Sequence, residues 1–253
     1  MTSIQISLGE VALALVLVAV AIGASLWERA DLEGDIAIAV VRSFIQLTAV
    51  GYVIKFLFDQ DSILLVIAVV AAMVVLAAFT ARHRAKKVPD VFWPLLLALS
   101  VAAGATLGVV TALGIFEPEP QYLIPVAGIV IGNAMTSAAV ALNRLADEVG
   151  RSRGEIEATL ALGATSAQAA RPIMRRSLRS GLIPLLDQTK TTGLIAFPGI
   201  MVGMLLAGAD PADAVRLQLI ILWTLLGAVS LSALLAMSLS YRRFFTPYHQ
   251  LRE

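Results

Sequence analysis

The sequence predicts an all-α polytopic membrane protein with about seven transmembrane helices. Hydrophobic residues make up 58% of its 253 residues and charged residues only 15%, whereas soluble domains contain roughly 45–50% and 25%. Apolar runs recur along the chain, and a helix of about 20 such residues crosses the roughly 30 Å hydrocarbon core of a bilayer. The lipid bilayer is therefore the environment that this chain is expected to occupy.

Seven apolar segments can be drawn along the chain. They cover residues 6–26, 36–58, 62–80, 93–115, 123–142, 182–207 and 215–239. The first segment lacks the basic flank of a signal peptide and is too long for one, so we expect it to be retained as a helix. Residues 1–253 are expected to form a single transmembrane domain.

The connections between the segments differ in charge. Most of the 19 lysines and arginines follow segments one, three, five and seven. The opposite connections are acidic, with residues such as Glu117, Glu119, Asp210 and Asp213. By the positive-inside rule the basic side is cytoplasmic. The N-terminus is then outside and the C-terminus inside, which requires an odd number of spans and fits seven.

Pairs of glycines four residues apart predict close helix contacts, because small residues let backbones approach in a membrane. The pairs are Gly104 with Gly108, Gly128 with Gly132, and Gly199 with Gly203. Such pairs are also frequent by chance in chains rich in glycine and alanine.

The connection at residues 143–181 is too long for a simple turn. Ser152 with Glu155 three residues later predicts a capping box, and a helix is expected from there to Gly163, where glycine favours a helix end. A second short helix over residues 166–171 is expected to stop before Pro172. One interpretation is a solvated, basic, helical loop.

A local pattern in this connection favours a second interpretation. Glu157 and Ala158 are followed by Gly163 six residues after the glutamate, and Ile173 comes ten residues after that glycine. The spacing resembles the cytoplasmic loop by which ABC permeases contact their ATPase, although Thr159 replaces a second alanine and two arginines replace the Leu-Pro of that loop. The resemblance implies an ATPase-coupling element formed by Glu157, Ala158, Leu160 and Gly163.

Six longer blocks that include polar residues occur in order along the chain. They are 41–47 (VRSFIQL), 131–136 (IGNAMT), 141–145 (ALNRL), 187–194 (DQTKTTGL), 197–201 (FPGIM) and 241–245 (YRRFF). Together they resemble the FetB-type (UPF0014-like) ABC transporter permeases, a bacterial family proposed to export iron and related to plant half-transporters linked to aluminium tolerance. The resemblance implies a multi-pass permease of the bacterial inner membrane that works with a separate cytoplasmic ABC ATPase. Two copies would pair about a two-fold axis so that two ATPases can close on each other.

Charged and polar residues inside the predicted spans need an explanation, because a charge at mid-membrane costs at least about 2.5–3.5 kcal/mol. Asp187 lies three residues before Lys190, so the two share a helical face and could pair. The alternative is a polar lining of the translocation path. The candidates for that lining are Gln46, Asn133, Thr136, Asp187, Gln188, Lys190 and Thr191. A break in segment six at Gly193, Pro198 and Gly199 would support it.

The sequence indicates no cofactor, no nucleic-acid partner and no catalytic site. It lacks the Gly-x-x-x-x-Gly-Lys-Ser/Thr loop, so ATP hydrolysis would be performed by a partner. The two histidines, His83 and His249, lie outside the predicted spans, and the metal ligands of a substrate cannot be assigned from the sequence. A secondary transporter or channel that uses Asp187 and Lys190 stays open as the alternative. A retinal protein is disfavoured because segment seven contains no lysine.

Overall fold

The computed structural model describes residues 7–58 and 62–252, and the regular structure in these ranges is helical. The helices are α1 (Leu8–Glu28), α2 (Glu33–Phe58), α3 (Ile63–Arg84), α4 (Phe92–Ala112), α5 (Pro120–Arg151), α6 (Arg153–Ala161), α7 (Ser166–Thr191), α8 (Gly199–Leu206), α9 (Pro211–Ser240) and a 3₁₀ turn at Tyr241–Phe244. The described residues divide into two compact units, 7–58 with 206–208 and 62–205 with 209–252.

Six of these helices are long and apolar enough to cross a membrane: α1, α2, α3, α4, α5 and α9. They confirm predicted segments one to five and seven, and the all-α polytopic fold class. Among these six helices, α5 differs most in length from its predicted segment, because it continues to Arg151 instead of ending near residue 142. The apolar run marks only the part of a helix that lies in lipid, whereas the helix itself continues into water.

Predicted segment six is wrong as one continuous span. Helix α7 already begins at Ser166 and ends at Thr191, and α8 follows only at Gly199. The backbone between them is not helical, because Gly193 has φ +86° and Thr192 is extended. Neither α7 nor α8 is among the six helices that are long and apolar enough to cross a membrane alone, so the seventh crossing that the predicted orientation requires would be shared by the two.

The unit of residues 7–58 is a helical hairpin of α1 and α2. Ser7 and Glu10 form a capping box at the start of α1. At the other end Ser25 Oγ donates to Glu33 Oε2 at 3.0 Å and accepts from the N–H of Leu32 at 3.0 Å. Both bonds join the C-terminal end of α1 to the start of α2, so this turn is held by polar contacts. The two helices themselves are largely exposed.

Helix α5 is the centre of the second unit and packs against α3, α4, α7 and α9. Its inward face carries alanines with essentially no exposure, among them Ala127, Ala138 and Ala141, together with the buried Leu142 and Leu145. Small side chains let the neighbouring helices approach, and the leucines fill the core at the end predicted to be cytoplasmic.

Helices α5 and α7 are in tight contact at Gly181. A Cβ at this position would lie 2.7 Å from the Ala141 Cβ and 3.0 Å from the Ser137 carbonyl oxygen. The Ser137 hydroxyl also donates to the Gly181 carbonyl at 2.7 Å, in a buried position. Only a glycine fits this crossing, and the predicted glycine pairs did not include it.

The predicted glycine pairs have little contact of their own. A Cβ at Gly128 would meet Met73 Cε at 3.3 Å. The other five glycines have no such neighbour within 4 Å in the part of the chain that the structure describes. The prediction of close contacts is therefore wrong for them within one chain.

Ion pairs join the helix ends on the side predicted to be cytoplasmic. Glu148 of α5 accepts from Arg144 at 3.1 Å and from Arg176 of α7 at 3.2 Å, and its side chain is only 12% exposed. Lys87 reaches Asp147 of α5 at 2.6 Å. These pairs fix α7 and the α3–α4 connection to the long end of α5.

The orientation gives a direct prediction. The chain contains no cysteine, so single cysteines can be placed at Glu117 and at Lys86, both of which are exposed. In intact cells, Glu117→Cys is expected to react with an impermeant thiol reagent and Lys86→Cys only after the cells are opened. Reaction of Lys86→Cys in intact cells would reverse the orientation.

Candidate translocation path and coupling helix

Helix α6 is the element on which the predicted coupling loop lies. It starts at Arg153, as the sequence predicts, but the predicted capping box is wrong: the Ser152 side chain caps no backbone N–H. Ser152 has φ −97° and ψ 20°, outside the extended conformation that an N-cap serine needs. The reason is that α5 ends only one residue earlier, so the chain passes almost directly from one helix into the next.

The end of α6 is confirmed at Gly163. This residue has φ +89°, which L side chains rarely adopt. Its N–H donates to the Leu160 carbonyl at 2.9 Å, and the N–H of Ala164 donates to the Thr159 carbonyl at 3.3 Å. These two bonds form a Schellman motif, which ends the helix sharply and sets the direction in which α7 begins.

One side of α6 is held by the protein and the other is exposed. Ile156, 2% exposed, anchors the helix, which packs on α5 and α7. Glu157 is exposed and accepts from Arg153 at 2.8 Å, and Ala158 is exposed beside it. Leu160, a predicted coupling residue, is half-buried, whereas Leu162 is 89% exposed. Sequence reasoning missed Leu162, because its exposure is not visible in the sequence.

Helix α7 contradicts the predicted short helix of residues 166–171. A capping box does form at its start, between Thr165 and Gln168. The helix then continues through Pro172 and Pro184 to Thr191. Proline removes one helical hydrogen bond but does not end a helix that is held by its neighbours. Packing against α5 supplies that support here, since Ile173, Ser177 and Gly181 face inward and are buried.

The opposite face of α7 carries a row of exposed side chains at four-residue spacing. Arg171, Arg175, Arg179, Ile183 and Asp187 form this row, and residues four apart lie on one helical face. Gln188 and Lys190 are exposed beside its end, and Thr191 is half-buried. The row therefore leads from the basic side of the protein to an acidic residue.

The depth of Asp187 follows from the contacts between α5 and α7. Arg176 meets Glu148, and Gly181 meets Ser137 and Ala141, so the two helices run antiparallel. Six residues beyond Gly181, and with an equal rise of 1.5 Å per residue on both helices, Asp187 is level with about residue 133. That is the middle of predicted segment 123–142.

Asp187 and Lys190 do not pair within the chain. Neither side chain has an oppositely charged group within 4 Å among residues 7–58 and 62–252, the part described, and both are exposed. Spacing places them on neighbouring positions of one face, as predicted, but the two charged ends remain apart. The interpretation of an Asp187–Lys190 pair within one chain is wrong for this structure.

The polar residues of α5 divide between two environments. Asn133 Nδ2 donates to the Ile129 carbonyl at 2.8 Å and Thr136 Oγ1 to the Gly132 carbonyl at 3.0 Å, and both residues are exposed. Arg84 Nη1 reaches Thr136 Oγ1 at 3.3 Å. Their neighbour Ser137 is buried against α7. Asn133 and Thr136 therefore keep an accessible polar surface, whereas Ser137 joins two helices.

Gln46 lies on α2, which belongs to the other unit than the candidates of α5 and α7. It is exposed and borders a shallow groove along α2 with Arg42 and Ile45. Its part in a path therefore stays a prediction.

The break between α7 and α8 is a compact turn. The Thr191 carbonyl accepts from the N–H groups of Leu194 at 3.2 Å and Ile195 at 3.0 Å, and the N–H of Gly193 donates to the Ala196 carbonyl at 2.9 Å. Leu194 and Ile195 are 86% and 82% exposed. Pro198 precedes α8 and Gly199 is its first residue. Exposed irregular backbone thus directly follows the charged end of α7.

Metal ligands are sparse in this unit. No group of three or more His, Cys, Asp or Glu that could hold a metal ion occurs within the described ranges 7–58 and 62–252. The two histidines have other contacts: His83 Nδ1 lies 2.8 Å from the Phe79 carbonyl, and His249 Nδ1 lies 2.7 Å from Ser166 Oγ at the start of α7.

Six helices that are long and apolar enough to cross a membrane define a multi-pass membrane protein. The chain belongs to the family described as "Uncharacterised protein family (UPF0014)", whose model matches residues 8–245. This confirms the resemblance of the six blocks.

Similar proteins match nearly the whole chain. It is 40% identical over 251 residues to the "Probable iron export permease protein FetB" of Escherichia coli, covering 99% of this chain and 97% of that protein. It is 40% identical to the "UPF0014 membrane protein STAR2" of rice, covering 95% and 84%. It is 37% identical to "Protein ALUMINUM SENSITIVE 3" of Arabidopsis thaliana, covering 95% and 88%. No solved structure matches the chain.

Proposed function

We propose that this chain is the membrane-spanning subunit of an ABC exporter of the bacterial plasma membrane. It works as a homodimer with a separate cytoplasmic ATPase and exports iron or a metal complex. The iron assignment is carried over from the Escherichia coli relative, which is named as a probable iron export permease. The observation that supports the class of transporter is α6, a short helix with an exposed apolar end on the basic side of the protein.

Helix α6 has the features that a docking element needs. A groove between ATPase subdomains can take a short helix if its apolar residues are accessible and its own position is fixed. Ile156 fixes α6 on the bundle, and Leu162 is free to enter such a groove. Glu157 and Ala158 form the exposed rim beside it. Gly163 then turns the chain into α7, so a push on α6 reaches the helix that carries the polar row.

The translocation path is proposed to follow the exposed face of α7. Its candidates remain Asp187, Gln188, Lys190 and Thr191, with Asn133 and Thr136 of α5 and Gln46 of α2. Broken helices are typical of transporters, because their turn offers backbone groups near the midplane. The break at Gly193, Pro198 and Gly199 provides a turn of this kind, beyond the depth of Asp187 on the side predicted to be outside. Because the described residues offer few strong metal ligands, iron would pass as a complex or with transient oxygen ligands.

The test is ATP-dependent iron uptake into inside-out vesicles that contain this chain and its ATPase. Export from cells becomes uptake in that orientation, and vesicles that contain the ATPase alone are the control. Uptake that needs ATP and this chain is expected. Uptake that needs no ATP and follows an imposed proton gradient would instead favour the alternative, a secondary transporter that uses Asp187 and Lys190.

Docking at α6 is tested by Leu162→Asp in the same preparation. The charge enters an apolar contact, so we expect the amount of ATPase that co-purifies with the chain to fall by about tenfold, as for a central interface residue. Gly154→Asp is the matched control, because it places the same charge in the first turn of α6, where an acidic residue is tolerated. Unchanged co-purification of Leu162→Asp would contradict docking at this helix.

A further inference from the structure

The charged end of α7 is exposed at a depth where exposure to lipid is costly. Asp187 and Lys190 have opposite charges, lie three residues apart, and have no ionic partner within the described part of their own chain. Their depth is the middle of predicted segment 123–142. Charged side chains at such a depth face the interior of an assembly or a water-filled cavity, and pair with each other or with backbone groups.

The turn after α7 leads to the same requirement by a separate observation. Residues 192–198 are not helical, and Leu194 and Ile195 are almost fully exposed. Irregular backbone at membrane depth is found only where protein covers it or where it lines a water-filled cavity. Something other than lipid therefore covers this end of α7.

We propose that a second copy of this chain covers it, with Asp187 of each copy paired to Lys190 of the other. The proposal rests on the homodimer of the proposed function and names the surface at which its copies meet. About a two-fold axis along the membrane normal, the two α7 helices lie side by side at equal depth, and the interface is self-complementary. Asp187 and Lys190 are offset by about 4.5 Å along the helix, since each residue rises about 1.5 Å.

Charge complementarity favours a second copy over other occupants. Because the two-fold axis exchanges the two copies, contact between Asp187 of one copy and Lys190 of the other brings the reciprocal pair together as well, and each pair bridges the offset of about 4.5 Å in depth. Lipid tails offer neither charge, and a soluble ATPase does not reach the middle of the bilayer. The same contact would close the space between the two α7 helices at this depth, where the candidate path lies.

Charge reversal gives a specific test, in detergent and without any ATPase. Asp187→Lys gives α7 two positive groups and Lys190→Asp gives it two negative groups. Each variant alone is expected to lose dimer by about tenfold or more, because like charges then face each other across the interface. Two differently tagged variants expressed together are expected to pair with each other. The reversed double variant, Asp187→Lys with Lys190→Asp in one chain, is expected to dimerise as the unmodified chain does.

Two outcomes would overturn the proposal. The first is that Asp187→Lys alone forms as much dimer as the unmodified chain. The second is that the two single variants, expressed together, form mixed dimers no more often than dimers of one variant. Either result would leave Asp187 and Lys190 facing water in a path. The reversed double variant keeps one charge of each sign in every chain. If it dimerises while the single variants do not, the single variants have lost pairing and not folding.

A cross-linking test keeps the native charges. Ile183 lies four residues before Asp187 on the same face, and Leu234 of α9 has matched exposure, 45% and 46%. Their depths also match, because Ser232 of α9 meets the Ala134 carbonyl. In this cysteine-free chain, Ile183→Cys is expected to give a covalent dimer with a short bifunctional thiol reagent, and Leu234→Cys is not.

Equal cross-linking of the two cysteine variants would contradict the interface. Because the readout is dimer formation alone, such a failure leaves ATPase docking and ATP-dependent transport untouched. Loss of docking at α6, in turn, would not affect the cross-link. The inference and the proposed function can therefore fail separately.

Discussion

Gly181→Ala is expected to destabilise the bundle, although alanine normally favours a helix over glycine. The added Cβ would lie 2.7 Å from the Ala141 Cβ and 3.0 Å from the Ser137 carbonyl oxygen, both on α5. Neither neighbour is a flexible side-chain end, so α5 and α7 must separate. Overpacking of this kind costs typically about 1–3 kcal/mol. Separation also stretches the buried bond from Ser137 to the Gly181 carbonyl.

The measurement is thermal unfolding of purified chains in detergent, with Gly227→Ala of α9 as the matched control. A Cβ at Gly227 has no neighbour within 4 Å in the described structure, so alanine there should be neutral or stabilising by about 0.5–1 kcal/mol. The Tm of Gly181→Ala should fall by several degrees, and Gly181→Leu should prevent recovery of folded protein. Equal Tm values for the two alanine variants would show that α5 and α7 do not cross at Gly181.

The same glycine illustrates what the sequence could not predict. The glycine pairs at four-residue spacing were visible, but five of those six glycines have no close neighbour in the described chain, whereas the lone Gly181 sits in the tightest contact. Spacing identifies a smooth helical face but not the helix that meets it. Which helix packs against that face depends on which faces of α5 and α7 bury each other, and a single sequence does not contain this information.

Length and apolarity were sufficient for most of the fold. Six of seven predicted segments are helices long enough to span, because the bilayer imposes a minimum length that a sequence window can detect. Segment 182–207 failed because its apolar content continues across a backbone turn. Gly193 and Pro198 were recognised as breaking residues, but apolar content alone could not show that α7 extends back to Ser166 through two prolines.

The candidate site was predicted in part. The end of α6 followed from Gly163 and its start lies at the predicted residue, although the Ser152 capping box that predicted it does not form. The exposed Leu162 could not be told from a buried leucine without the fold. The face shared by Asp187 and Lys190 followed from helical spacing. Whether their charged ends meet depends on side-chain conformation and on neighbours, and within the described chain they do not meet.

Gly163→Pro is expected to uncouple ATP hydrolysis from transport while leaving the membrane bundle folded. Gly163 has φ +89° and donates its N–H to the Leu160 carbonyl at 2.9 Å. Proline fixes φ near −65° and has no N–H, so it can satisfy neither requirement. The end of α6 and its angle to α7 would change, and a push by the ATPase would no longer reach the polar row.

Gly163→Asn is the matched control, since asparagine adopts positive φ more readily than other L residues and keeps the N–H. Both variants should show the Tm of the unmodified chain, because α6 lies outside the predicted spans. Iron uptake into inside-out vesicles should fall by about tenfold or more for Gly163→Pro, with ATP hydrolysis retained, since a break of this kind removes transmission and not the ATPase site. Gly163→Asn should keep most of the uptake. If Gly163→Pro transports at the unmodified rate, the segment from α6 to α7 is only a connector, and the proposed coupling has no structural basis in this loop.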